Sequence, residues 1–293
     1  MSFRGVFTVN LSALLNSEEV SLAAKVLDYQ PFILSENIQT GAAYSWAYSD
    51  DPRQSPSLVF NRSDNTEHDW NRIIDSNARL RAMYDDILDE VALRFPGGSL
   101  FDVACNNGYF PVGAELRGLK GAGMDMVDYS KSFSILNKAL NTKARFMHLV
   151  YDSQKHEMPV QDEFDVVVAS AIICHLPDPL PFLAAVGKMA RRAILFWGQI
   201  LDTEQLIISH KPPHPELSRL TSFPHGFNDN TRISRGMFKE SMRLMGFKSV
   251  TEIEHRNTWL PQFLPYSLDA NAPRTLDEEL KTGSKHIALL ALR

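Results

Sequence analysis

The sequence predicts a doubly wound α/β domain: a seven-stranded, mostly parallel sheet with helices on both faces. An N-terminal helical and irregular extension precedes it, and a lid is inserted late in the chain. Three observations predict this. From Ser99 onward, short apolar runs alternate with amphipathic helical stretches. The runs are nearly continuous in apolar residues, as strands buried on both faces must be. Segments long enough for crossover helices separate them, and right-handed crossovers wind such a unit into a doubly wound sheet.

Residues 1–66 read as a separate extension, and 67–293 as the main domain. A short helix is expected from Glu18 to Tyr29, stopping before Pro31, which disfavours helix in the residue preceding it. The following stretch, PFILSENIQTGAAYSWAYSDDPRQSPSLVF, carries turn formers and aromatic residues spaced for short strands or a flap. A long helix comes next. Trp70, Ile73, Ile74, Asn77, Leu80, Tyr84, Ile87, Leu88 and Val91 recur at three- and four-residue steps and form one stripe. Pro96, Gly97 and Gly98 end it.

The seven strands are LFDVAC, GAGMDMV, ARFMHLVY, FDVVVASAII, RAILFWGQI, FKSVTEIEHR and KHIALLALR. Between the fifth and sixth the pattern lapses at about 203–230, where Pro and His replace any period. That stretch is expected to cover the carboxyl ends of the strands, where open α/β sheets bind ligands. The helix SRGMFKESMRLM then ends at Gly246, a C-cap glycine.

Bulk properties narrow the function. The chain has 293 residues, 44% hydrophobic and 22% charged, with formal net charge -5. It has no global basic field to hold nucleic acid by counterion release. Two cysteines exclude a disulfide framework and point to a reducing cytoplasm. The N-terminus lacks the apolar core of a secretion signal, and no apolar run is long enough to span a membrane.

The loop after the first strand, in LFDVACNNGYF, carries the chemistry. A dinucleotide site would need three glycines to cradle pyrophosphate. Here only Gly108 is present, with Ala104 and Asn106 in the earlier places. Asp102 would repel a phosphate and attract a cation. Asp125, ending the second strand, is placed to accept both hydroxyls of a ribose. Asp152, after the third strand, is placed to accept from an exocyclic adenine amine, with Tyr151 or Met126 against the ring. The ordinary alternatives are turn and N-cap roles for these acids.

DVACNNGYF followed by GAGMD resembles the first two signature motifs of class I S-adenosylmethionine-dependent methyltransferases. FDVVVASAIICHLPDPLPFLAAV resembles their fourth-strand motif and the helix after it. The loop and the CHLPDPL turn are most similar to the branch containing the tRNA wobble-uridine carboxymethyltransferases and uncharacterised relatives. The resemblance implies a Rossmann-like methyltransferase fold with S-adenosylmethionine as cofactor. Asp102, Ala104, Asn106 and Gly108 would surround its methionine part, Asp125 would hold the ribose and Asp152 would contact the adenine; Cys105, within the loop, and Met126 and Tyr151, read above against the ring, are further cofactor-site candidates. Ser170, ending the fourth strand, joins this set. The alanine and asparagine in place of glycines are departures from the family pattern.

Methyl transfer is an in-line displacement and needs mainly positioning. His175 is the candidate base, with capping or packing as its ordinary alternative. Asp178 reads as a turn or N-cap residue. Trp46 and Trp70, with Tyr44 and Tyr48, are candidates for an aromatic wall around the acceptor, and His210 and His225 for lid residues facing it. His210, His214 and His225 fit no standard metal spacing, so no metal site is assigned. Cys105 and Cys174 are expected to pack rather than to form a redox pair.

The leading expectation is O- or N-methylation of a small molecule such as a metabolite, sugar or natural product. A tRNA-modifying methyl- or carboxymethyltransferase is the first alternative. It would need a basic patch from residues such as Arg191, Arg192, Lys211, Arg219 and Arg232. A non-catalytic cofactor-binding module is the second. A homo-oligomer is compatible with the sequence.

Overall fold

A computed structural model describes residues 9–41, 59–63, 70–152, 154–176, 178–210, 231–254 and 284–293. Its central feature is a seven-stranded sheet in the order β11-β12-β8-β7-β4-β5-β6. The strands are β4 (Ser99–Val103), β5 (Lys120–Asp125), β6 (Arg145–His148), β7 (Phe164–Ser170), β8 (Ala190–Leu201), β11 (Ser249–Ile253) and β12 (Ser284–Leu292). The β5–β6 and β7–β8 pairs are parallel. β12 runs antiparallel between β8 and β11. This is the Rossmann-like methyltransferase sheet, with all seven expected strands present.

The described residues fall into two compact units. The first runs to Phe101 and resumes over Cys105–Leu149; the second holds Asp102–Ala104, Val150–Ile253 and β12.

The first unit begins with α1 (Ser17–Ala23). Asn16 caps it in a reciprocal box: its Oδ1 accepts from Glu19 N at 2.9 Å, and its own amide donates to Glu19 Oε2 at 3.0 Å. The helix stops six residues short of the Tyr29 expected from sequence. The carbonyl of Val26 accepts instead from the Ser132 hydroxyl and the Asn107 amide, so the backbone leaves the helical path for distant partners. Strands β1 (Ile33–Ser35), β2 (Ile38–Thr40) and β3 (Val59–Asn61) form a small antiparallel sheet. Val9, Leu11, Leu27, Phe32, Leu34 and Phe60 are all buried, so this segment contributes to a core.

Helix α2 (Trp70–Arg94) follows its predicted stripe closely. Ile73, Leu80, Met83, Tyr84, Ile87, Leu88 and Val91 are buried, whereas Ile74 is exposed. Gly97 takes a left-handed φ of 69° just past its end, where a side chain would be strained. Helices α3 (Tyr109–Glu115) and α4 (Ser130–Leu140) flank β5 and β6. Gly121 is required by α3: a Cβ there would lie 1.9 Å from the carbonyl oxygen of Pro111.

In the second unit, β7 and β8 carry α5 (Pro179–Met189) and α6 (Arg235–Leu244). Ser234 caps α6, accepting from Met237 N at 3.0 Å, and its hydroxyl also donates to the carbonyl of Gln205. Arg235 bridges Asp202 and Glu252. The terminal Arg293 closes the unit, donating to the carbonyls of Ala190 and Gly187 while its guanidinium lies 4.5 Å from the centre of the Phe247 ring. The ribbon β9 (Ile208–His210) and β10 (Thr231–Ile233) brackets the expected lid, whose residues 211–230 lie outside the described set. Among the described residues, no helix is long and apolar enough to cross a membrane.

Candidate cofactor site

The loop after β4 is where the sequence departs from the glycine pattern, and the backbone shows how it copes. Ala104 has φ 66°, Asn106 φ 49° and Gly108 φ 97°. All three occupy the left-handed region that glycine enters most easily. Asn is among the residues that tolerate it, and Ala carries only a methyl group. Non-glycine residues thus hold the conformation expected of the missing glycines. Strain of this kind persists only where neighbours enforce it, and it concentrates at functional sites.

In the first unit the enforcing contacts are explicit. Cys105 N donates to the Met124 carbonyl at 2.9 Å. Asn106 N donates to Asp125 Oδ2 at 2.9 Å, and Val127 N to Asp125 Oδ1 at 3.0 Å. Asp125, itself buried, therefore fastens the loop to the end of β5. Each oxygen accepts one amide and keeps lone-pair capacity for another donor. Gly123 makes room for this arrangement, since a Cβ there would stand 2.6 Å from Cys105 Cβ. Gly108 is constrained twice, by its φ and by Phe133, whose Cε2 would lie 2.6 Å from an added Cβ.

The surroundings of this loop are acidic. Burial, followed by the charges of Asp125 and Asp28, pushes the Tyr129 phenol up to about 12. Met126 and Val127, beyond Asp125, are exposed apolar side chains. His148 Nε2 lies 3.0 Å from the Met126 carbonyl.

Sequence reasoning missed a set of buried polar groups behind the loop. Asn107 is fully buried and bonds the backbone of residues 26–30. Gln30 Oε1 accepts from Tyr109 N at 2.8 Å. Arg81 is 6% exposed; its guanidinium donates to the Pro31 carbonyl and to Gln39 Oε1 and feels the charge of Asp85. Desolvation lowers its pKa. One turn on, Asp85 accepts from Tyr109 Oη at 3.2 Å and pairs with Arg117, yet burial outweighs that pairing and raises its pKa. The signal in the sequence was polar residues within the α2 stripe, Asn77 above all; Arg81 and Asp85 lie outside it.

In the second unit, Asp102 is buried within β4. Ser170 ends β7, half-buried. Ala171 follows with φ 51°, its amide bonded to the Trp197 carbonyl. The turn Ile173–His175 is a single 3₁₀ turn that leaves His175 exposed. Cys174 Sγ donates to the Ala171 carbonyl at 3.2 Å, and neither Cys105 nor Cys174 is in a disulfide. Asp178 is the N-cap residue of α5 without a side-chain cap bond. Tyr151 stands edge-on to Phe182, with ring centres 5.3 Å apart. Asp152 Oδ1 accepts from the amides of Gln154 and Lys155, each at 3.0 Å, which is the turn role available to it from sequence.

Of the acceptor-side candidates, Trp70 opens α2 half-buried, its Nε1 enclosed without a hydrogen-bond partner among the described residues. His210 ends β9 opposite Thr231. Trp46 and His225, with Tyr44, Tyr48 and His214, lie outside the described residues. Among the described residues, no group of three His, Cys, Asp or Glu could hold a metal ion.

Comparison with known proteins finds this fold among methyltransferases. The family described as "Methyltransferase domain" matches residues 101–193. In structure, the chain is similar to the N-terminal domain of EvdMO1, solved with S-adenosylhomocysteine, at TM-score 0.54, 11% identity and 99% coverage of each chain. The same domain with S-adenosylhomocysteine and D-fucose gives TM-score 0.53 at 12% identity, again over 99% of each chain. The 1,6-didemethyltoxoflavin-N1-methyltransferase of Burkholderia thailandensis has 13% identity and TM-score 0.44, over 72% of this chain and 76% of its own. No curated protein matches the sequence.

Proposed function

We propose that the chain is an S-adenosylmethionine-dependent methyltransferase acting on oxygen or nitrogen of a small molecule, with 67–293 as its methyltransferase domain and 1–66 as an extension. One observation carries the reading. The loop 104–108 holds left-handed conformations at Ala104 and Asn106, and Asp125 fastens it by the amide of Asn106. Such a loop brings backbone close to a ligand without three glycines to cradle phosphates, and its surroundings are acidic. The fit is to a cationic nucleoside rather than to a dinucleotide.

When bound, the sulfonium supplies a methyl carbon already activated for displacement. Asp125 would hold the ribose through its remaining lone pairs. Met126 would lie against the adenine. Arg81 would receive the carboxylate of the methionine part, because a buried guanidinium whose hydrogen bonds go to the Pro31 carbonyl and Gln39 Oε1 is stabilised by an anion in addition to the nearby Asp85. His175 would take a proton from an acceptor that carries one, and its exposed position leaves it reachable. Positioning is the remaining requirement, worth several kcal/mol in well-aligned systems, up to about 7–11 kcal/mol.

The small-molecule reading is favoured over a tRNA substrate by the state of the basic residues. Arg191 is engaged by Asp165 and Glu163, and Arg232 is partly buried.

Calorimetry tests the cofactor assignment. S-adenosylhomocysteine should bind and NAD should not. Binding of NAD alone would refute the assignment.

A further inference from the structure

The loop and the N-terminal segment read each other's backbone. Asn107 Oδ1 accepts from the amides of Tyr29 at 3.0 Å and Gln30 at 3.2 Å. Its Nδ2 donates to the Val26 carbonyl at 2.9 Å, and Ser132 Oγ donates to that carbonyl at 2.8 Å. In return, Gln30 Oε1 accepts from Tyr109 N at 2.8 Å, and its Nε2 reaches the Cys105 carbonyl at 3.5 Å. The amide of Tyr109 belongs to the first turn of α3, whose N-cap residue Gly108 has no side chain to serve it. Gln30 supplies that partner from 79 positions away in sequence. Gln30 and Asn107 are 7% and 0% exposed. Thr40 Oγ1 further fixes the strap by donating to the Gln30 carbonyl.

We propose that residues 26–30 form a strap that sets the cofactor loop, with Gln30 and Asn107 as positioning residues, so that strap docking and cofactor binding favour each other. The proposal rests on the cofactor reading above. Undocking the strap would strip Asn107 and the Tyr109 amide of these partners, so strap and loop order as one unit. A ligand on the loop then stabilises the strap by the factor that the strap stabilises the ligand. The N-terminal segment is thereby part of the cofactor machinery rather than an appended cover.

Two measurements test it: calorimetric titration of S-adenosylhomocysteine, and amide exchange of Tyr29 and Gln30 with and without that ligand. Gln30→Ala should weaken the ligand at least fivefold. The ligand should slow exchange at Tyr29 and Gln30 in the wild type, which a merely structural contact would not show. Lys138→Met is the control. It removes the exposed Lys138–Glu19 pair, which tethers α1 without touching the loop, and should leave affinity unchanged. Affinity within twofold of wild type for Gln30→Ala, or an equal loss in Lys138→Met, overturns the proposal. So does ligand-independent exchange at Tyr29 and Gln30. Asn107→Ala should weaken binding further; if it does not fold, Gln30→Ala and the exchange data decide. A wild type that binds no S-adenosylhomocysteine removes the cofactor reading and the strap with it. Wild-type binding with an unaffected Gln30→Ala removes the strap alone.

Discussion

Replacing Gly123 with alanine should damage the loop proposed to hold the cofactor, mainly by crowding Cys105. Gly123 is buried in β5, and its backbone is one that alanine can adopt, so space alone is at issue. The new methyl would stand 2.6 Å from Cys105 Cβ, 2.8 Å from Sγ and 3.0 Å from Pro111 Cγ. Ordinary contact requires Cys105 to retreat by roughly 1 Å. Its amide is bonded to the Met124 carbonyl at 2.9 Å, and a shift of that size takes the bond beyond useful range. Overpacking of this kind costs about 1–3 kcal/mol. The lost hydrogen bond adds roughly 0.5–1.5 kcal/mol. Thermal unfolding should show a loss of roughly 2–4 kcal/mol. That corresponds to a Tm lowered by several degrees, at about 2–4 °C per kcal/mol. Calorimetry should show S-adenosylhomocysteine binding weakened more than tenfold, because the next amide is the one Asp125 holds. Adding Cys105→Gly removes both clashing atoms and should restore much of the affinity. The resulting double-mutant cycle should have a coupling energy above about 1 kcal/mol. Wild-type affinity for Gly123→Ala, or additive effects in the double variant, would refute the reasoning.

Asp125→Ala should weaken S-adenosylhomocysteine at least tenfold, or about 1.4 kcal/mol, and an unchanged calorimetric Kd would remove its role at the ribose. Arg81→Met should weaken S-adenosylhomocysteine while leaving methylthioadenosine, which lacks the amino-acid part, unaffected; equal losses for both would place Arg81 in folding instead. Asp85 carries a native pKa raised mainly by burial. As pH rises from its ordinary value to its native one, the unfolded chain gives up the proton first, so this group's contribution to stability falls. The Tm advantage of wild type over Asp85→Asn should therefore be larger below that window than above it, and a pH-independent gap would contradict this.

The parallel sheet was legible in the sequence because burial on both faces forces near-continuous apolar strands, and FDVVVASAII can satisfy little else. The stripe of α2 was legible for a similar reason: a 25-residue amphipathic helix repeats its signal over many turns. The acids at strand ends were visible as residue types. What Asp152 bonds was not, because a turn and an adenine pocket ask for the same carboxylate. The shortening of α1 was not visible either, since its cause is the carbonyl of Val26 meeting Ser132 and Asn107 from 106 and 81 positions away.

The class of fold and the order of its strands along the chain can be read from the amino-acid sequence alone. These follow from periodicity and turn chemistry, which act between near neighbours. The glycine-like conformations of Ala104 and Asn106, the space Gly123 yields to Cys105, and the joining of the N-terminal segment to the loop by Gln30 and Asn107 emerge only in the folded chain. Those outcomes depend on hydrogen bonds and packing between residues far apart in sequence. Buried polar groups must find partners somewhere, and nothing local says where.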